Sequence, residues 1–179
     1  MKKLALALIG VVFCVAGAQF AHAQIGIYGQ LDATHDQAVD AWYKGFTLGV
    51  YNSFLNVGPI HAGLDLRGSY QTGSNYRFRN FLVGPRLQVR PPVLSLNPYI
   101  QGEIGFGGSR YAGSSSTATH YSNKLQYGVI GGLETTVLPR VDLRLPEISY
   151  LRMSAISSTP NAPKVNLFGI GIGLVVRLP

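Results

Sequence analysis

Two sets of residues in this chain have types and spacings that could do chemistry. His35 stands beside Asp36, and His120 follows Ser114 to Ser116 at short range. A histidine oriented by a carboxylate can act as general base toward a hydroxyl when both lie within hydrogen-bond reach. Nothing in the spacing brings those groups together, so no catalytic residue is assigned and the chain is not expected to be an enzyme. His35, Asp36, Asp40 and His120 are also metal-ligand types, but they lack the HxxxH or clustered spacing of a metal site. No metal and no cofactor are expected. The second set is ionic: Asp65, Arg67, Arg86, Glu103, Lys124, Glu134, Asp142 and Arg144, four acids and four bases. All eight fall on the polar positions of alternating segments, so the question they raise is what those segments enclose.

Residues 60–70, IHAGLDLRGSY, show the pattern. Ile60, Ala62, Leu64, Leu66 and Tyr70 take one parity; His61, Asp65, Arg67 and Ser69 take the other. Side chains on a strand point alternately to opposite faces, so such a segment has an apolar face and an ionic one. The same alternation recurs at 25–33, 45–54, 80–90, 99–106, 124–134, 140–152 and 165–178, and no stretch after residue 23 sustains a 3.6-residue apolar period. This predicts eight strands. The connections 55–59, 91–98 and 135–139 are compact, whereas 34–44, 72–77, 107–123 and 154–164 are more polar and mostly longer. Pro85 and Pro146 lie inside strands, where a missing N–H predicts a bulge or bend. After Pro146 the polar parity slips, with Glu147 and Ser149 opposing Ile148 and Tyr150, which a bulge there would reconcile.

The N-terminus reads as an export signal. Lys2 and Lys3 precede an apolar run from Leu4 to Val15, and Ala21-His22-Ala23 supplies the small residues of a cleavage site. The run is shorter than the ~20 residues of a membrane helix. The expected organisation is therefore a signal peptide at 1–23 and one domain at 24–179. Phe13 is too bulky to precede a lipidated cysteine, so Cys14 leaves with the signal and no disulfide is available. The formal net charge of +7 includes Lys2 and Lys3, and the remaining basic residues form no dense run, which argues against nucleic acid as a partner. Arg77, Arg79, Arg110 and Lys164 are dispersed over loops and strand ends, either as ordinary solvated charges or as contacts for anionic lipid headgroups or polysaccharide.

Which face is inside decides the class. In a soluble barrel the apolar parity would line a ligand cavity, as in a lipocalin. In a membrane barrel it would meet lipid and the ions would occupy the lumen. Several features favour the second arrangement. Gly169, Gly171 and Gly173 share the polar parity of the last strand, leaving room for large inward side chains, while Ile170, Ile172 and Leu174 supply bulk on the other face. Opposite charges could neutralise one another in a narrow lumen, where an unpaired ion would cost several kcal/mol. The lipid-facing set is then Leu48, Val50, Leu64, Leu66, Val83, Leu87, Ile104, Val129, Ile170, Ile172 and Leu174. Tyr28, Tyr70, Tyr76, Tyr99, Tyr121 and Tyr150 lie near predicted strand ends, either as an interfacial girdle or simply as good strand formers.

The whole of 24–179 resembles the small OmpA/OmpX-like outer-membrane β-barrels. The resemblance rests on YGVIGGLE, RVDLRLPEISYLR, VGPR at 83–86 and the closing NLFGIGIGLVVRLP. It implies an all-β, eight-stranded antiparallel up-and-down transmembrane barrel, inserted into the outer membrane by its assembly machinery after export. Relatives usually end on an aromatic residue, where this chain ends Leu178-Pro179, and no peptidoglycan-binding domain is expected after it. The implied function is structural, adhesive or envelope-stabilising, with a polar, side-chain-filled lumen, outer-membrane lipids and lipopolysaccharide as partners, and a monomeric state. A small-solute channel and a lipid A-modifying enzyme, using His35 or His120, are the alternatives inside the membrane class.

Overall fold

The computed structural model describes residues 24–37, 40–74, 76–93, 95–111, 123–153 and 165–178. The signal segment, Cys14, Ser114 to Ser116, His120, Tyr121, Lys164 and Pro179 therefore lie outside the described residues. Eight strands form: β1 Gln24–Asp36, β2 Ala41–Val57, β3 Ile60–Thr72, β4 Tyr76–Val89, β5 Leu96–Tyr111, β6 Lys124–Leu138, β7 Val141–Met153 and β8 Val165–Leu178. Each pairs antiparallel with its sequence neighbours, and β8 pairs with β1 from Ile25↔Leu178 to Asp36↔Leu167, closing the barrel. Closure leaves no unpaired sheet edge. Both strand termini of the chain, Gln24 and Leu178, stand at the end that carries the turns at Gly58-Pro59, 90–95 and Pro139-Arg140. Gly58 takes a left-handed φ of 57°, which lets β2 reverse into β3 without a Cβ clash.

The strands run further toward the opposite end than their alternation suggests. Thr34↔Tyr43, His35↔Trp42 and Asp36↔Ala41 pair, so 34–36 and 41–44 are strand rather than loop. The connection between β3 and β4 is likewise confined to residues 73–75. Ladder hydrogen bonds outcompete the polar composition that made these segments look like loops. Strands of 13 to 17 residues exceed the roughly 9–11 that cross a bilayer core, and the excess lies at both rims.

The two prolines behave differently. At Pro85 the expected bulge is absent: the β3–β4 register is continuous through Leu64↔Pro85, and pairing with β5 lapses only between Val83↔Ile104 and Arg86↔Gln101 without a shift. At Pro146 the register does shift. Arg144 pairs with Gly173 and Glu147 with Gly171, so β7 carries one more residue than β8 across the same interval, and the β6–β7 ladder shifts there too. Leu145 and Pro146 both sit on the outside, and Arg144 and Glu147 both point in. Deleting Leu145 should restore a regular register with Arg144 and Glu147 two positions apart and both still inward. The expected result is a barrel that still folds, with a loss of stability below the about 3–5 kcal/mol that stranding a buried charge would cost, measured by urea unfolding in detergent.

Candidate functional site

Alternation in the strands sorts the side chains as the sequence suggests. Every residue of the predicted apolar set is exposed on the outer surface, from Val50 at 36 % to Leu48 at 59 %. The ionic residues are inside: Asp65, Arg67, Arg86, Glu103, Glu134, Asp142 and Arg144 are each no more than 3 % exposed. The soluble alternative, with Leu64 and Leu66 lining a cavity, is thereby reversed. Lys124 does not join the others. It is half-buried at the first position of β6 and forms no ion pair among the described residues.

The centre of the lumen is organised around Glu147, which the bulge of β7 turns inward. Its Oε1 accepts from Arg67 Nη1 at 2.7 Å and Gln30 Nε2 at 2.6 Å; its Oε2 accepts from Tyr99 at 2.5 Å and Arg144 Nη1 at 3.1 Å. Toward the turn end, Glu134 accepts from Arg144 at 2.7 Å, Arg86 at 2.8 Å and Gln88 at 2.6 Å. Arg67 also donates to Asp65 at 3.1 Å and Gln101 at 2.8 Å, with Glu103 at 3.9 Å. Arg86 and Asp142 do not pair with Asp65 and Arg67: Arg86 binds Glu134, and Asp142 binds Arg177 at 3.0 Å. Sequence parity ranks residues by face and is blind to height in the barrel, so it could not choose among inward partners.

The charge balance also differs from four against four. Lys124 drops out, whereas Glu147 and Asp32 enter, the latter accepting from Gln30 at 2.6 Å and Thr47 at 2.5 Å. Arg90 and Arg177, half-buried near the turns, offset part of the acidic excess.

Three arginines gain further partners that hydrogen-bond geometry does not reveal. Arg86 lies over the rings of Tyr51 at 4.3 Å and Tyr99 at 3.9 Å. Arg144 lies over Tyr28 at 3.8 Å and Tyr99 at 4.9 Å, and Arg67 over Tyr28 at 5.4 Å. The result is a column of rings and guanidinium groups in the order Tyr51, Arg86, Tyr99, Arg144, Tyr28, Arg67. Cation–π contacts of this kind contribute ~2 kcal/mol or more when desolvated, and they explain how Arg86 Nε and Nη1 tolerate burial without hydrogen-bond partners. Tyr28 and Tyr99 are therefore lumenal, at 2 % and 5 % exposed, and not part of a girdle; Tyr70 and Tyr150 do face outward. Each of the three tyrosines in this column lies over a glycine directly across the ladder: Tyr51 over Gly26, Tyr28 over Gly49 and Tyr99 over Gly132. A Cβ at any of the three would collide with the ring. In β8, Gly171 and Gly173 make the same kind of room for Asp32 and Gln30.

The lumen is not polar throughout. Tyr43, Phe78, Leu82, Ile130, Leu151, Met153 and Leu167 form an apolar layer near the loop end. Leu82 sits between Phe81 and Val83; the parity of Arg86 puts it inward, but an apolar residue on the polar parity carries no signal of its own. Between this layer and the ion network the enclosed space is about 30 Å³, on the order of one water. An eight-stranded barrel is just wide enough to be filled in this way.

The His35–Asp36 pair does not exist as a unit. Asp36 points inward, whereas His35 faces outward, contacts Asp40 at 2.9 Å and stacks on Trp42 with ring centroids 4.9 Å apart. Among the described residues no hydroxyl contacts His35, and no group of three metal-ligand side chains assembles.

Removing the Glu147 carboxylate, as Glu147→Ala, should cost about 3–5 kcal/mol because Arg67 and Arg144 lose their shared counter-ion. Lys124→Gln should stay within ~0.5 kcal/mol. Equilibrium unfolding of both variants in the same detergent checks the contrast.

No family model and no curated protein matches this chain. Solved structures do share its fold. Neisserial surface protein A superposes with a TM-score of 0.58 at 12 % identity, covering 87 % of this chain and 97 % of that one. The attachment invasion locus protein Ail of Yersinia pestis gives 0.52 at 14 % identity, again over 87 % and 97 %. The outer-membrane enzyme PagL gives 0.52 at 12 % identity, over 83 % of this chain and 97 % of that chain. The fold is thus that of the eight-stranded outer-membrane β-barrels.

Proposed function

We propose that the chain is an exported outer-membrane barrel whose role is structural or adhesive, with its side-chain-filled interior serving as a rigid core for the outer rim. The observation that carries this reading is the inverted distribution of polarity. Ions bridged through Glu147 and Glu134 occupy the interior, while Leu, Ile, Val and Phe side chains stand exposed around every strand. Monomeric soluble proteins rarely expose contiguous apolar patches beyond several hundred Å², and a band that encircles the molecule calls for a lipid solvent. Short turns at the end holding both strand termini support a periplasmic orientation for that end.

The interior argues against conduction. Three buried arginines are bound by carboxylates and rings at once, and an apolar layer lies between them and the loop end. For an enzyme, His35 is the nearest candidate, and its partner is the highly exposed Asp40 rather than a hydroxyl nucleophile. PagL shares the architecture alone.

Five measurements test the reading. The folded protein should run faster than boiled protein on a detergent gel and float with lipid vesicles; a vesicle-free soluble fraction without the mobility shift would falsify the membrane placement. Leu66→Arg, at the middle of β3, should destabilise the inserted barrel by about 2–4 kcal/mol. In planar bilayers the wild-type chain should show no steady open-channel current, and sustained conductance would favour a pore. His35→Asn should leave the acylation pattern of lipid A unchanged.

A further inference from the structure

Asp32 is a lumenal acid that the ion network leaves without a cation. Gln30 Nε2 donates to its Oδ1 at 2.6 Å and the Thr47 hydroxyl to its Oδ2 at 2.5 Å, but no arginine, lysine or histidine among the described residues pairs with it. The network below has no positive charge to spare, because Arg67, Arg86 and Arg144 already face Asp65, Glu103, Glu134 and Glu147. Arg90 and Arg177 stand near the turns, toward the other end of the lumen.

Asp32 borders the small cavity between the ion network and the apolar layer, together with Thr47, Ser69, Gln71 and Asn80. The ladders bring these side chains together. Asp32↔Gly45 and Gly45↔Gln71 put the carboxylate and the amide at one level with only a glycine between them, and a Cβ at Gly45 would collide with the backbone of Tyr70 and Gln71. Thr47↔Ser69 and Ser69↔Asn80 set the other three side by side one inward step nearer the turns. Gln71, 4 % exposed, leaves its Oε1 buried without a hydrogen-bond partner, and so does Asn80 its Oδ1. A buried oxygen without a donor is costly, and two of them beside a carboxylate that lacks a counter-ion favour positive charge. A water could donate to both amides but would leave the carboxylate's charge unmet. A bare cation meets all three, and the cavity of about 30 Å³ has room for one.

We infer that the lumen binds a single alkali cation at Asp32, with the Ser69 hydroxyl and the amide oxygens of Gln71 and Asn80 as further ligands. Hard cations take oxygen ligands, and calcium sites gather several carboxylates. Here one carboxylate stands among neutral oxygens, and no group of three metal-ligand side chains forms among the described residues, which suits a monovalent ion. The apolar layer closes the cavity toward the loops and the Glu147 network closes it toward the turns. The ion therefore enters as the barrel closes, and its binding is coupled to folding. The site needs only the closed barrel and is independent of the structural or adhesive role proposed above.

The test refolds the full mature chain from urea into detergent micelles in sodium, potassium, calcium or choline chloride at equal ionic strength. After gel filtration into choline buffer, retained metal is counted by inductively coupled plasma mass spectrometry. Sodium or potassium should remain at a one-to-one ratio with the chain. In equilibrium urea unfolding, each tenfold rise in that cation above its dissociation constant should add about 1.4 kcal/mol to stability. Asp32→Asn should abolish both the retained ion and the cation dependence. Gln71→Leu, which keeps the carboxylate, should lower retention several-fold, and Lys124→Gln should change neither readout. The boiling-dependent gel shift reports that each variant has folded; should Asp32→Asn fail to fold, wild type against Gln71→Leu decides. Equal stability in alkali and choline salts with no retained ion, the outcome for a water or a proton in the cavity, overturns the site. Retention of calcium in preference to both alkali ions overturns it too, as does wild-type retention by Gln71→Leu and Asp32→Asn alike.

Discussion

The structure depends on keeping buried charge paired. Glu147 draws Arg67, Arg144, Gln30 and Tyr99 onto one carboxylate, and Glu134 ties Arg144 to Arg86 and Gln88. An ion in a lumen filled by side chains costs several kcal/mol unless its charge and hydrogen-bonding capacity are met. Residues from β1, β3, β4, β5, β6 and β7 must therefore arrive at the same height together. That requirement fixes the register of strands whose outer faces, apolar and repetitive, specify it poorly.

The bulge in β7 follows from this need. A regular strand would send Arg144 and Glu147 to opposite faces, as an odd separation requires. One additional residue lets both point inward, where Glu147 receives Arg144 from its own strand and Arg67 from across the lumen. The tyrosines contribute a second means of holding the arginines, since a ring face offers attraction without demanding hydrogen-bond geometry. Glycines opposite Tyr28, Tyr51 and Tyr99 let the rings lie flat against the wall. Space in the lumen is thus allotted in cross-strand pairs, one member large and the other absent.

A filled lumen leaves function to the outside. The ion network and the apolar layer hold the interior in one arrangement, so the rim of the barrel is presented by a rigid wall. With all acids but Asp40 turned inward, the outward loop-end surface keeps Lys44, Arg77 and Arg79. The pairing that stabilises the interior therefore also sets the sign of charge on the exterior.

Much of the fold was legible because a strand has a period of two. Leu64 and Leu66 separate from Asp65 and Arg67 by parity alone, and the slip after Pro146 announced the bulge. Parity says nothing of height or rotation around the barrel, which is why it assigns no partners to Asp65 and Asp142 and why the loop-end strands looked like loops. An apolar residue on the inward parity carries no contrast, so Leu82, between Phe81 and Val83, did not stand out as part of an interior layer. Glycine spacing hinted at room inside but could not show which ring would fill it. The sequence by itself determined the alternation and hence two faces of opposite polarity. Only closure of β8 on β1 decided which inward groups meet, because strands distant in the chain become neighbours across a lumen too narrow to leave a charge alone.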